Sequence, residues 1–112
     1  MKPKEEPMGR AVPADIVFRK TRTDYRAAPP VYTAHPPTKA TVLIRNLTGS
    51  RVKVWSPQNA LLDTPRELDD QDEYPFPINA EKDSGTYAYT AYVVDADEFV
   101  EGNSPPVIII DK

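Results

Sequence analysis

The chain has 112 residues, no cysteine and a formal net charge of −3. That length suits one compact domain, and the missing thiols exclude disulfides, iron–sulfur clusters, thiolate catalysis and cysteine-ligated zinc. The mild charge argues against nucleic acid as the main partner, and thirteen prolines against four glycines exclude a fold built on long helices, because each proline removes a backbone donor.

Charge and proline are unevenly distributed. Residues 1–39 hold eight basic and four acidic side chains, whereas residues 40–112 hold six and thirteen. Seven of the thirteen prolines fall in the first part. Three segments are expected: a disordered tail over 1–13, a basic proline-rich arm over 14–39 with one or two edge strands, and a body over 40–112. No apolar run follows the positive charges of MKPKEEPMGR, so the expected location is cytoplasmic if this is the native start. The absence of cysteine is also compatible with export. The longest apolar run near the end, VIII, is only strand-sized, so no membrane insertion is expected.

In chain order, ADIVFRKT (14–21) predicts a short strand, with Ile16, Phe18 and Lys20 alternating against Val17 and Arg19. RAAPPVYTAHPPT reads as an extended connector, since each proline restrains the residue before it. Its VYTA portion is suited to a sheet edge. KATVLIRNL alternates, with Val42, Ile44 and Asn46 on one face and Thr41, Leu43, Arg45 and Leu47 on the other. RVKVWS turns Val52 and Val54 inward. The glycine-containing turn NLTGS between them predicts a hairpin. A turn of helix is expected near Pro65–Asp70, and an extended segment over YPFPINA with Tyr74, Phe76 and Ile78 on one face. GTYAYTAYVV sets Tyr87, Tyr89, Ala91 and Val93 against Thr86, Ala88, Thr90, Tyr92 and Val94. SPPVIIIDK is the closing strand. Short strands, β-branched and aromatic residues and frequent turns predict an all-β, antiparallel Greek-key β-sandwich, cupredoxin-like or immunoglobulin-like, with an N-terminal extended arm.

TVLIRNLTGSRVKVW followed by SGTYAYTAYVV and SPPVIIIDK resembles the cupredoxin family over roughly residues 40–112. That family's glycine–x–tyrosine–x–aromatic–x–cysteine strand supplies a copper thiolate, and flanking loops supply two histidines and a methionine. Position by position the resemblance does not extend to these ligands. Ala91 stands where the cysteine falls and Val94 where the second histidine follows. Ser50 and Arg51 lie near the first histidine position, and DADEFVEGNSPP has neither histidine nor methionine. Blue copper needs a thiolate and two imidazoles. The resemblance therefore implies a scaffold without its metal, with Tyr87 and Tyr89 filling the space between two sheets.

Other chemistry fares no better. His35 lies in a proline-flanked connector, and one histidine does not make a zinc or copper site. ELDDQDE (67–73) and DADE (95–98) offer calcium-type oxygen ligands, but without the glycine and terminal glutamate offsets of an EF-hand loop. A solvated acidic rim is the simpler expectation. FRKTRTDYR (18–26) interleaves basic and aromatic residues, yet carries no RNA-binding motif. Ser50, Ser56, Ser84 and Ser104 have no histidine base nearby in sequence, so no catalytic residues are assigned and an enzyme is not expected. NLT at Asn46 matches a glycosylation sequon that nothing else supports.

The expected function is therefore a non-catalytic structural or protein-interaction module, self-assembling through its basic arm on an acidic body. Docking of the arm in cis, as an extra edge strand, is weighed evenly against docking in trans on a second copy. No cofactor or metal is expected, and the expected partner is protein. The expected contact residues are Ile16, Phe18, Arg19, Arg22 and Tyr25 in the arm, with Trp55 and Tyr92 on the body. Trp55 and Tyr92 are equally suited to packing beneath the long 58–79 loop. The alternative is a calcium- or carbohydrate-binding module using the acidic end loops.

Overall fold

A computed structural model describes residues 13–36, 41–56, 65–77, 84–102 and 104–111. The described residues form eleven strands: β1 (Ile16–Lys20), β2 (Tyr25–Ala28), β3 (Val31–Ala34), β4 (Thr41–Leu47), β5 (Val52–Trp55), β6 (Arg66–Leu68), β7 (Glu73–Pro77), β8 (Gly85–Ala88), β9 (Thr90–Val93), β10 (Glu98–Phe99) and β11 (Val107–Ile110). The fold is an all-β sandwich. One layer is the sheet β2–β1–β4–β7. The other comprises β10–β9–β5–β6 and β3–β11–β8, which share the Gly85–Val93 ribbon. That ribbon breaks at Tyr89, whose N–H donates to Pro106 O at 3.0 Å.

The period-2 alternation decides the core. Ile16 and Phe18 of β1, Val42 and Ile44 of β4, Val52 and Val54 of β5, Ala91 and Val93 of β9 and Ile108 and Ile110 of β11 are buried together in one cluster. Each fully buried aliphatic or aromatic side chain stabilises the fold by about 1.5–3 kcal/mol relative to leaving it exposed.

Pairing is less legible than burial. β4 and β5 do not form the expected hairpin. β4 pairs with β1 and β7 in one layer, and β5 pairs with β9 and β6 in the other. Each strand has one apolar face, and facing one another across the core satisfies both faces as well as lying side by side. The expected helical turn near Pro65–Asp70 is instead strand β6. There Leu68 points inward opposite Val52, and Glu67 opposes Lys53 on the outer face, a favourable cross-strand pair.

Among the described residues two pairings are parallel, and both use the N-terminal segment: β1 runs parallel to β4, and β3 parallel to β11. β1 lies between β2 and β4, so residues 16–34 contribute an internal strand to one layer and an end strand to the other. Most of the expected tail, residues 1–12, and the arm's last residues, 37–39, lie outside the described residues, as does Ile78.

Candidate protein-interaction surface

The seven residues expected at contacts separate into three groups. Ile16 and Phe18 are 0% exposed and Tyr25 is buried with them. They face the sandwich interior and have no surface to offer a partner. Alternation had marked them as one face of a strand, but that face is turned onto the chain's own core. Arg19 and Arg22 are exposed in the first layer, Arg19 opposite Arg26 of β2 and Arg22 in the bend after β1. Trp55 and Tyr92 lie half-buried on the second layer. The arm residues and the body aromatics therefore do not converge on one patch.

The second layer nevertheless assembles a surface. With Val52, Val54, Ala91 and Val93 inward, Lys53, Trp55, Thr90 and Tyr92 take the outer face. Register places Thr90 opposite Trp55, Tyr92 opposite Lys53, and Phe99 opposite Tyr92. Tyr92 and Phe99 rings lie 5.2 Å apart at 57°, and Lys53 Nζ sits 5.8 Å from the Trp55 ring centre. Phe99 is 48% exposed. A hollow of about 240 Å³ beside it is lined by Thr90, Ala91, Phe99, Val100, Pro105 and Pro106, among others. The Tyr92 hydroxyl donates to Asp97 Oδ1. That bond, with a smaller contribution from burial and from the Asp97 charge, pushes the phenol above its ordinary range. Phe99 was missed in the sequence. Its signal was a lone large apolar residue inside the acidic run DADEF, which alternation over only two residues does not resolve.

The acidic loops do meet at one end of the sandwich. Arg51 Nε donates to Asp69 Oδ1 at 3.3 Å, and Val94 N–H donates to Arg51 O at 3.0 Å. In the 67–73 loop Asp70 accepts from Gly49 N–H at 2.8 Å and Asp72 from Asp69 N–H at 3.0 Å, and in the 95–98 loop Asp97 accepts from the Tyr92 hydroxyl. Among the described residues no group of three or more His, Asp or Glu side chains is placed to hold a metal ion.

Asn46 organises this end. It is 0% exposed. Its Nδ2 donates to Ser50 O, Leu68 O and Asp69 O at 2.7–3.1 Å, and its Oδ1 accepts from Thr48 N–H and Oγ1. The side chain that the sequon would glycosylate is thus enclosed and committed. Gly49 follows at φ +85°, a left-handed conformation that carries the chain from one layer to the other.

His35 is exposed at the opposite end, with Nδ1 3.0 Å from Asp111 O. By register it lies near Gly85, away from Ala91. Ala91 is a buried methyl opposite Val54. The chain matches no protein-family model, and no curated protein matches it in sequence.

Proposed function

We propose that this chain is a non-catalytic protein-interaction module whose contact surface is the outer face of β10–β9–β5–β6. The observation that carries this reading is one outer face on which Tyr92 lies against Phe99 and diagonal to Trp55 across the β9–β5 ladder, with Phe99 half exposed. Aromatic side chains supply large contact area at low entropic cost and dominate interface energetics. Asp97, bonded to Tyr92, and Glu98, which lines a hollow with Phe99, border the patch. The partner it suits is a protein segment that presents an apolar side chain beside Lys or Arg. The scaffold is proposed to be cupredoxin-like with the copper ligands replaced, a reading supported by Ala91 packing in the core where the thiolate position falls.

Ile16, Phe18 and Tyr25 are enclosed within the chain's own sandwich, so their side chains are not offered as contacts for a second copy. The test is selection from a displayed random-peptide library. Peptides that bind the parent chain are expected to carry an aliphatic or aromatic residue next to a base, and to lose binding to a W55S/F99S variant. Selected peptides that bind both chains equally overturn the proposed surface.

A further inference from the structure

A sheet ends where the last strand's outward N–H and C=O groups find something other than a strand. On β2 those groups are the N–H and C=O of Tyr25 and Ala27, and one residue answers the inner two, Tyr25 O and Ala27 N–H. Glu101 N–H donates to Tyr25 O at 2.9 Å, and Ala27 N–H donates to Glu101 Oε2 at 2.8 Å. The other carboxylate oxygen, Oε1, accepts from Arg26 Nη1 at 3.2 Å. The Glu101 side chain is 9% exposed. Its backbone sits at φ +68°, left-handed for a residue that is neither glycine nor asparagine, a conformation that costs free energy and persists only where its surroundings hold it. Glu101 thus imitates, with a backbone N–H and a side-chain oxygen, the hydrogen bonds of a neighbouring strand.

We propose that the outer edge of β2 is a docking edge for a second copy of this chain, held closed by Glu101. The edge is self-complementary. Two copies of β2 laid antiparallel about Arg26 pair Tyr25 with Ala27 twice, as a two-fold axis requires. The two Arg26 side chains then oppose each other, but each lies diagonal to the other copy's Asp24. The directly opposed Arg26 pair is unfavourable, and the two diagonal Asp24 carboxylates offset it. Within one chain Asp24 already holds Arg26, Oδ2 to Nη2 at 2.9 Å. This edge borders the aromatic face, since Asp24, Arg26 and Glu101 line one hollow with Glu98 and Phe99; peptide binding by a W55S variant reports on the face alone and the mass of an E101A variant on the edge, so the two readings fail separately.

The experiment is light scattering after size exclusion, over a range of concentration, on the full chain and its variants. E101A removes the carboxylate bonds to Ala27 N–H and Arg26 that hold residue 101 at its left-handed backbone, which lets its N–H give up Tyr25 O, and is expected to double the parent's mass at high concentration. E101Q keeps an amide oxygen for Ala27 N–H and is expected to retain the parent's mass. Adding A27P to E101A removes the donor of the new edge bond without touching the β1 pairing, and is expected to restore the parent's mass. E101A with the parent's mass overturns the proposal, as does a doubled mass that A27P leaves in place. If E101A does not fold, E101D, which withdraws the carboxylate by one methylene, carries the same two outcomes.

Discussion

The rings of Phe18 and Tyr89 meet across the sandwich with centroids 6.3 Å apart and planes tilted by 36°. One comes from β1 and the other from the break between β8 and β9, so this contact joins the two layers at mid-core. Its two members differ in one respect: the Tyr89 hydroxyl is buried without a hydrogen-bond partner among the described residues. Removing that oxygen is expected to help. Y89F should raise unfolding free energy by about 1 kcal/mol, the low end of the cost of an unsatisfied buried group. F18A should lower it by about 3–5 kcal/mol. Urea denaturation reads both, and a Y89F variant less stable than the parent shows the hydroxyl to be bonded.

The same hydroxyl sets an alkaline limit. Burial, with a smaller contribution from the Glu101 charge, pushes the Tyr89 phenol well above its ordinary range. A raised folded-state pKa contributes stability that is fully present below the unfolded value of about 10 and lost as pH rises from there toward the folded value. Unfolding free energy should therefore fall above that pH, and Y89F should flatten the fall. Equal alkaline slopes for parent and variant would contradict this.

Starting the chain at Lys39 should abolish folding. That truncation deletes β1, β2 and β3, and with them Ile16, Phe18, Tyr25, Ala27 and Ala34 from the core. The three large side chains alone account for roughly 5–9 kcal/mol of burial, comparable with the whole stability of a small domain, about 5–15 kcal/mol. Circular dichroism and light scattering on the truncated chain check this, and a folded monomer would refute it.

Asn46 is the polar keystone of the acidic end. N46A leaves the carbonyls of Ser50, Leu68 and Asp69 without its amide and should cost at least about 2 kcal/mol. N46D should be worse, because it brings a carboxylate against the same carbonyls. Urea midpoints of the two variants test the order.

On the surface, Thr21 Oγ1 donates to Asp24 Oδ1 at 2.6 Å. That bond, followed by the bond to Arg26, holds the Asp24 carboxyl below its ordinary range. A depressed pKa stabilises the fold above the unfolded value of about 3.9, and the contribution is lost as pH falls through the folded one. T21V should move the Asp24 titration upward toward the ordinary value, followed by NMR. An unchanged Asp24 titration would assign the depression to Arg26.

The residues by themselves determined which faces are buried. Alternation in IVF, TVLIRN, RVKV and YTAYV marks the inward side chains, because a strand's side chains point to opposite faces whatever it pairs with. Alternation also fixed the all-β class, and the missing thiol and imidazoles removed the copper chemistry. Which strand lies beside which was decided only by the tertiary structure. The faces of β4 and β5 are equally well buried side by side or across a core, and the Asn46 hydrogen bonds that separate them reach residues up to 23 positions away. The N-terminal segment reads as an arm because proline and charge are local properties. The place of its first strand, β1, between β2 and β4 depends on backbone groups of β4 that no local pattern displays. Glu101 likewise reads as one more acidic loop residue until the fold brings it against Ala27, 74 positions earlier in the chain.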